Sequence, residues 1–546
     1  MQLGGEVEEL YFGAACARGP RSVCFYAPRQ PEPLAVDYLA LLERARGAAA
    51  ALGERLSPGE PYLLLAENDL DTVVAFLGGL LCGALPAPLS PPLGLGGLEA
   101  WNERVRALAA DLSCRVVVGR PEHLALLEGP LGRVPCDAFP LSAPPSPLSA
   151  AGLSHVQLTS GSTGRSKGVR IAHRNLAANL FHIGWASDVT DADRVVSWLP
   201  LYHDMGLVGV LLFSLYWNLD LVLLSPVDFL ARPVRWLEAI HRHRGSLSPA
   251  PSFAYPYVAH RLRGRTPSVD LSSWRIAYCG AEPIQREAVQ RFVDALAPCG
   301  LSPGTILPCY GLAEATLAVT FAPWGRGLRA AAVSRQALGE GTVAPALGPE
   351  DGQELVLLGA PLPEIELELR DAEGRPADAG RTGEVWLRGP TVTPGYLGEG
   401  PEADAAGWLR TGDLGCWVEE ELALIGRCKD LLIVRGRNHA PVTLEWAAEG
   451  VEGVRPGSAA AFSCYDAASG TEAPIVACEV AENESDWSRG AIGRQVEEAV
   501  LRRTHLRPRE VLLLDPGAIP KTTSGKIQRS RVRELYLSGR LGGEQR

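Results

Sequence analysis

The order of hydrophobic and polar residues predicts helices that alternate with short buried strands over most of the chain. Before residue 151, apolar helices are expected at 39–56 and 73–85, and strands at 62–66 and 115–119. Proline- and serine-rich loops punctuate this part at 86–97 and 140–149. The next stretch predicts strands at 195–199, 221–225 and 276–280 and helices at 234–244 and 286–297. Such alternation is typical of a layered α/β domain with largely parallel strands.

The pattern changes in the last third of the chain. Residues 321–352 are rich in Ala, Gly and Arg with little periodicity, and we interpret them as an inserted surface segment. A smaller β-rich subdomain is predicted by short alternating strands at 365–369, 383–388, 422–425 and 431–434. Helices and strands alternate again from about residue 430, which predicts an independent α+β domain at the end of the chain.

The length and net charge of the chain limit the number of domains and the kinds of partner that are expected. A chain of 546 residues is too long for one compact core, so two or three domains are expected. The net charge of -11 argues against a nucleic-acid partner, which a basic face would bind. The longest apolar run, 73–85, is shorter than the roughly twenty residues of a membrane-spanning helix, so no membrane span is expected. Residues 1–10 are acidic and lack the basic start of a signal peptide, so we expect a cytoplasmic protein.

Cysteine and lysine usage narrow the chemistry. The 12 cysteines are widely spread without a CxxC pair, so no zinc site is expected and we interpret them as small apolar residues. Only four of the 52 basic residues are lysines, namely Lys167, Lys429, Lys521 and Lys526. The arginine-rich composition indicates a GC-rich bacterial gene. The lysine ammonium is a compact point charge and guanidinium a planar fork, so the surviving lysines are candidates for positions where arginine does not fit.

A run of hydroxyl and glycine residues follows the apolar residues 156–158. Its members are Thr159, Ser160, Gly161, Ser162, Thr163 and Gly164, and Lys167 lies three residues further on. Glycines let the backbone curl around an anion, hydroxyls donate hydrogen bonds and the lysine adds charge, which favours a phosphate-binding loop. The spacing is not that of a Walker loop. The alternative is a polar linker.

Two more motifs could contact substrate groups, one a carboxylate and the other a nucleotide. His203 lies between a predicted strand and a helix, where it could contact a carboxylate, although a lone histidine there is more often structural. In the stretch 310–316, the ring of Tyr310 could stack on a purine. The carboxylate of Glu314 could hold Mg²⁺ beside a triphosphate, because hard cations prefer oxygen ligands.

The last two motifs lie nearer the end of the chain. Asp413 follows a glycine turn and is suited to gripping two ribose hydroxyls. It is followed by the stretch 426–430, which contains Arg427 and Lys429. Lys526 lies on a glycine-containing hairpin, from which its ammonium could swing into a site on another domain.

The five motifs, in this order and at these separations, resemble the adenylate-forming superfamily of acyl-CoA synthetases, luciferases and peptide-synthetase adenylation domains. The resemblance covers roughly residues 60–535 and is weak over the first 35. Within the superfamily the chain looks most like the fatty acyl-AMP ligases, on the segments 197–207, 225–240, 251–255, 279–283, 310–317 and 429–439. Residues 325–355 fall where that family carries an insertion that restrains the C-terminal domain and disfavours coenzyme A as acceptor.

The resemblance implies an α/β fold in two parts. Residues 1–428 would form a large ATP- and acid-binding domain, with two α/β subdomains, a smaller β-rich subdomain and an insertion at about 321–355. Residues 429–546 would form a small mobile α+β lid. The implied reaction activates a fatty acid with ATP and Mg²⁺ to an acyl-adenylate. The implied acceptor is the phosphopantetheine thiol of an acyl carrier protein on a separate chain.

The resemblance also implies a role for each motif. Residues 159–164 and Lys167 would cradle the β- and γ-phosphates, and Glu314 with Thr159 would hold Mg²⁺. The nucleotide would contact Gly280, Ala281, Glu282, Tyr310 and Gly311 at its adenine end and Asp413 and Arg427 at its ribose. His203 would lie near the substrate carboxylate, Lys526 would bridge that carboxylate and the α-phosphate, and Lys429 would be the hinge of the lid.

The chain departs from the family pattern at two places. Ala313 stands where the wider superfamily usually has threonine. Residues 440–445 read Ala-Pro-Val-Thr-Leu-Glu in place of the usual Tyr-Pro-Gln-Asp-Ile-Glu, just beyond the hinge, which bears more on acyl transfer than on adenylation. Two alternative functions are an acyl-CoA synthetase that uses coenzyme A, and a non-catalytic adenylate-binding module.

Overall fold

The computed structural model describes most of the chain. The described residues are 6–26, 32–92, 97–144, 148, 152–160, 166–348, 350–400, 402–434, 437–466, 471–480, 486–522 and 525–542.

Three sheets built mainly from parallel strands form the first two thirds of the chain. The first has the order Leu85–Leu89, Pro61–Leu65, Val116–Gly119 and Gly132–Pro135, all parallel. The second has the order Leu34–Asp37, Ser22–Phe25, Asp220–Leu223 and Arg194–Ser197, with only the first pair antiparallel. The third has the order Ala250–Pro251, Ala277–Gly280, Ile306–Gly311, Ala318–Phe321 and Ala360–Pro361, and turns antiparallel at Ala318–Phe321.

Helices connect and cover these strands. The longer ones are Val7–Arg18, Tyr38–Gly53, Leu70–Cys82, Gly97–Asp111, His173–Ala186, Val234–His243, Ala254–Leu262 and Arg286–Leu296. The shorter ones include Pro121–Leu124, Asp204–Gly206, Phe213–Trp217 and Pro226–Ala231, and the π-helical turn Leu207–Leu212. Local chemistry sets their ends: the carboxylate of Asp69 accepts the Thr72 N–H at 2.8 Å, and Gly83 ends the same helix at a φ of 78°.

The smaller sheets follow. Leu153–Ser160 pairs with Ser166–Ala172, and Leu432–Val434 with Arg437–His439, both antiparallel. An antiparallel sheet has the order Glu366–Arg370, Gly383–Arg388, Leu409–Val418 and Glu421–Arg427. The last has the order Val454–Asp466, Thr471–Val480 and Glu510–Leu514, and is accompanied by the helices Pro441–Glu449, Asp486–Thr504 and Arg529–Leu537. The α/β class that the sequence predicts is confirmed, and each predicted strand or helix begins and ends within three residues of an observed one.

The segment around 321–352 holds more regular structure than its composition predicts. It contains the strand Ala330–Ser334, the helix Arg335–Gly339 and the start of the strand Gly352–Val356. Val333, Leu338 and Leu355 are buried in a small hydrophobic cluster with Cys416 and Ala423 of the neighbouring antiparallel sheet. The alternation is too short to be seen in sequence, because each strand buries only a few residues of one face.

Hydrophobic packing separates the end of the chain from the rest. One cluster of buried residues extends from Val7 to Leu422. Two others, around Leu444 and Phe462, contain only residues from Leu432 onward. Seven of the 12 cysteines are buried and none is in a disulfide, which fits their interpretation as small apolar residues. Within the described ranges no helix is long and apolar enough to cross a bilayer.

Candidate functional site

A large cleft brings the sequence-predicted residues together. It has a volume of about 1810 Å³ and is lined by Thr159, Lys167, His203, Ala281, Glu282, Tyr310, Gly311, Glu314, Asp413, Arg427, Lys429 and Lys526. Gly280 ends the strand Ala277–Gly280 directly before Ala281. The side chain of Ser160 and residues Gly161, Ser162, Thr163 and Gly164 lie outside the described residues, so the shape of the predicted phosphate loop stays a prediction.

Tyr310, Asp413 and Arg427 form a hydrogen-bonded group in the cleft. The Tyr310 hydroxyl donates to Oδ2 of Asp413 at 2.7 Å, and Nε of Arg427 lies 2.7 Å from Oδ1. Burial raises the pKa of Asp413 above its usual value, against the opposing attraction of Arg427 and the Tyr310 hydrogen bond. Antiparallel pairing of Leu409–Val418 with Glu421–Arg427 places Asp413 directly opposite Arg427. The group is a fixed polar wall with both acceptors and donors.

Glu314 lies on the opposite side of a tight turn from Tyr310. One of its carboxylate oxygens accepts from the Tyr396 hydroxyl at 2.8 Å, and burial raises its pKa. The turn depends on Gly311, because a Cβ there would come within 1.9 Å of the Leu317 carbonyl oxygen. Glycine at this position therefore lets Glu314 face the cleft beside Tyr310.

Lys167 contacts Tyr396, the residue whose hydroxyl donates to Glu314. Its Nζ is 3.1 Å from Oε2 of Glu399 and 4.2 Å from the centre of the Tyr396 ring. The strand that carries Lys167 pairs with the strand that carries Thr159, and the two residues are direct partners. A cationic and a hydroxyl side chain thus lie beside the turn of the hairpin, where an anion would meet them.

His203 lies where the chain leaves the strand Arg194–Ser197 and enters a helix, as predicted. Its Nδ1 is 2.7 Å from Oδ1 of Asp204. Burial opposes the charged form of Asp204, but the neighbouring His203 and, less strongly, Lys526 hold the pKa of Asp204 below its usual value. The imidazole is oriented by this carboxylate at the wall of the cleft.

The turn after Ala277–Gly280 is strained. Ala281 adopts a φ of 66°, which is uncommon for a residue with a side chain. A Cβ at Gly280 would come within 2.6 Å of the Cys309 carbonyl oxygen, so only glycine fits. The carboxylate of Glu282 accepts the Phe253 N–H at 2.7 Å, which fixes the turn against the neighbouring helix.

Lys526 reaches the cleft from a hairpin near the end of the chain. The Thr522 N–H donates to the Lys526 carbonyl oxygen at 2.7 Å, and the Lys526 N–H donates to the Thr522 hydroxyl at 3.1 Å. Burial raises the pKa values of Glu282 and Asp413, and the attraction of the Lys526 ammonium opposes that rise. The same ammonium helps His203 to hold the pKa of Asp204 below its usual value. One cation from the end of the chain thereby faces three acidic groups contributed by the larger, earlier part.

Two residues of the site, Tyr396 and Asp204, have no role predicted from the sequence. Tyr396 contacts both Glu314 and Lys167, but it is a single aromatic residue in a loop and carries no pattern of its own. Asp204 lies within a quoted motif without a predicted role. Its position directly after His203 is the signal that could have identified it, since a carboxylate commonly orients a functional histidine.

Comparison with known proteins identifies the family. A model of the AMP-binding enzyme family matches residues 12–397. The chain belongs to the AMP-binding enzymes. The long-chain-fatty-acid–AMP ligase FadD26 of Mycobacterium marinum is 34% identical to this AMP-binding enzyme over 88% of each chain. The medium-chain-fatty-acid–[acyl-carrier-protein] ligase JamA of Moorena producens is 31% identical over 95% of this chain and 93% of its own.

A solved structure shares the whole fold of this AMP-binding enzyme. It comes from a study of fatty acyl-adenylate ligases from E. coli and L. pneumophila, and superimposes with a TM-score of 0.90 at 31% identity. The superposition covers 98% of each chain. The predicted resemblance to fatty acyl-AMP ligases is confirmed by these relatives. The family match begins at residue 12, earlier than the sequence analysis expected.

Proposed function

We propose that this AMP-binding enzyme activates a fatty acid with ATP to an acyl-adenylate, releases diphosphate, and transfers the acyl group to the phosphopantetheine thiol of a separate acyl carrier protein. The observation that carries the proposal is the position of Lys526. Its ammonium reaches the cleft that also holds Tyr310, Asp413 and Arg427, so a cation faces the wall suited to a nucleoside. Negative charge that develops on a phosphoryl group between them would be stabilised by preplaced groups.

The proposal gives each residue of the cleft a role. Asp413, held by Arg427, would accept from the ribose hydroxyls, and the turn from Gly280 to Glu282 with Tyr310 would frame the adenine. Lys167 and the loop that begins at Thr159 would bind the outer phosphates. Lys526 would neutralise charge between the substrate carboxylate and the α-phosphate, and His203 would lie beside that carboxylate.

The residues around Glu314 fit a Mg²⁺ ion. The Glu314 carboxylate is partly buried and oriented by Tyr396, and Thr159 lines the same cleft, so both residues can supply oxygen ligands of the kind a hard cation prefers. Bound there, Mg²⁺ would supply positive charge beside the triphosphate. Glu314 would hold the ion, and Tyr396 would keep the carboxylate from turning away.

We infer that residues 429–546 act as a lid that pivots at Lys429. The two hydrophobic clusters that begin at Leu432 contain no residue from the earlier part of the chain, which suits a unit that moves as one body. Lys429 lies between the last strand of the antiparallel sheet and the strand Leu432–Val434. Rotation there would withdraw Lys526 and admit a thiol.

The first prediction concerns the reaction itself. The purified protein with Mg-ATP and a medium-chain fatty acid is expected to release diphosphate and accumulate acyl-AMP, measured by a coupled diphosphate assay and mass spectrometry. Holo acyl carrier protein is expected to accept the acyl group, and coenzyme A to accept little. Efficient acyl-CoA formation would identify an acyl-CoA synthetase, and no diphosphate release with any acid would identify a non-catalytic binding module.

The second prediction concerns the segment 321–355 as a restraint on the lid. Glu340 of this segment lies 3.3 Å from Arg437, and the Glu350 carbonyl lies 3.1 Å from Nε2 of His505. Glu340→Arg would place two like charges together, and is expected to raise acyl-CoA formation several-fold while acyl-AMP formation is unchanged. Glu373→Arg on an exposed turn is the control. Equal acyl-CoA yields from both variants would argue against the restraint.

A further inference from the structure

Arg104 is a partly buried cation without a counter-charge. It lies on the helix Gly97–Asp111 and lines the same cleft as Thr159 and Lys167. Among the described residues it forms no ion pair, whereas Arg106 on the same helix lies 3.6 Å from Glu128. Burial lowers the pKa of Arg104, and only the Tyr202 hydroxyl opposes this. Partial burial of a guanidinium without an anionic partner costs free energy, so its position needs a reason.

The wall of the cleft near Arg104 carries two hydroxyl groups, of Tyr202 and Ser90, and the Ser90 hydroxyl donates to the Pro91 carbonyl at 3.0 Å. The Tyr202 hydroxyl interacts with the side chain of Ser90 and with the charge of Arg104. Ser90 directly follows the strand Leu85–Leu89, at the carboxyl end of a parallel sheet, where ligands of α/β proteins commonly bind. Tyr202 directly precedes His203. A guanidinium and two hydroxyls therefore meet at one wall of the cleft.

Four acidic groups of the cleft, Asp204, Glu282, Glu314 and Asp413, are engaged elsewhere. Their partners are His203 for Asp204, the Phe253 N–H for Glu282, Tyr396 for Glu314 and Arg427 for Asp413. None of them contributes to the electrostatic surroundings of Arg104. An anion from outside the chain is the remaining way to compensate this guanidinium.

We propose that Arg104, with the Tyr202 hydroxyl, forms a binding site for a phosphate group of a ligand in the cleft. Arginine presents several donors in a planar fork that matches phosphate oxygens, and hydroxyls complete such a site. Two ligands of the proposed function carry this chemistry, namely the leaving diphosphate and the phosphodiester of the phosphopantetheine arm. The assignment of the site to diphosphate or to the phosphopantetheine arm rests on the proposed function. The inference that Arg104 binds an anion does not depend on that function.

The test compares Arg104→Met with Arg106→Met, which removes an exposed arginine from the same helix. The first measurement is the affinity for magnesium diphosphate by calorimetry without ATP, together with the KM for diphosphate in ATP–diphosphate exchange. The second is the affinity for holo carrier protein by calorimetry and its KM at saturating ATP and fatty acid. Because Arg104→Met loses a charge-assisted contact, it is expected to weaken the affinity for one of these two ligands by roughly tenfold to a hundredfold. Arg104→Lys is expected to recover part of the loss, and Tyr202→Phe to show a smaller one.

Each outcome has one meaning. A loss confined to diphosphate assigns the site to the leaving group, and a loss confined to the carrier assigns it to the acceptor. If both methionine variants bind both ligands as the wild type does, with unchanged thermal unfolding, the phosphate site is refuted. Because calorimetry needs no turnover, a protein that failed to adenylate any acid would still report on Arg104.

Discussion

Replacing Lys526 with alanine is expected to slow acyl-adenylate formation by about a hundredfold or more. The structure gives the physical reason. The ammonium acts on three carboxylates, Asp204, Glu282 and Asp413, that line the walls of one cleft. Without the ammonium, these three groups would give the cleft a strongly negative potential. The fatty-acid carboxylate and the ATP triphosphate would then have to enter against electrostatic repulsion. Diphosphate release under saturating ATP and acid measures the effect.

The second half-reaction supplies the control for this variant. If the lid withdraws Lys526 before the thiol arrives, Lys526→Ala given synthetic acyl-adenylate is expected to acylate holo carrier protein at the wild-type rate. Lys526→Arg is expected to recover little adenylation, because a planar guanidinium does not replace a compact ammonium. An unchanged rate of diphosphate release in Lys526→Ala would remove this residue from the mechanism.

The predicted strands in the first two thirds of the chain could be identified from the sequence because each is a short apolar run between turn residues. The runs at 62–66 and 276–280 are buried on both faces of parallel sheets, and such strands leave a continuous apolar signal. The helix and strand within the first 35 residues were missed, because Ser22–Phe25 is only four residues long and joins a sheet whose other members are far along the chain.

The candidate site could be predicted where function requires a residue type at a fixed spacing. Tyr310 and Glu314 share one turn, and Asp413 and Arg427 face each other across two consecutive strands. Tyr396 and Arg104 could not be predicted, because each belongs to the site only through contacts that the tertiary fold creates. An unpaired arginine looks the same in sequence as Arg106, which forms an ion pair at the surface.

Replacing Arg529 with methionine is expected to destabilise the part of the chain beyond Lys429 by about 3–5 kcal/mol. Its guanidinium donates from Nε and Nη2 to both oxygens of Glu445, at 2.6 and 2.7 Å, and lies 3.2 Å from Asp430. The Glu445 side chain is only 4% exposed. Removing Arg529 would leave this carboxylate buried and unpaired apart from the Ala461 N–H. Denaturant unfolding and limited proteolysis measure the loss.

Arg531→Met is the matched control on the same helix. Arg531 pairs with Glu534 at the surface, where such a contact contributes at most about 1 kcal/mol. The double variant Arg529→Met with Glu445→Gln is expected to recover much of the stability, because it removes both charges. Equal destabilisation by Arg529→Met and Arg531→Met, or no recovery in the double variant, would contradict the argument.

The ion pair of Arg529 with Asp430 also has a consequence for activity. Arg529 joins Asp430, next to the proposed hinge, to the base of the hairpin that carries Lys526. Gln528 reinforces that base by donating its N–H to the Pro520 carbonyl at 3.0 Å. Loosening this junction is expected to lower the kcat of adenylation while the KM for ATP changes little, because the nucleotide wall of Asp413 and Arg427 lies on other strands. The Arg529 guanidinium thereby couples the hinge at Asp430 to the hairpin that carries Lys526.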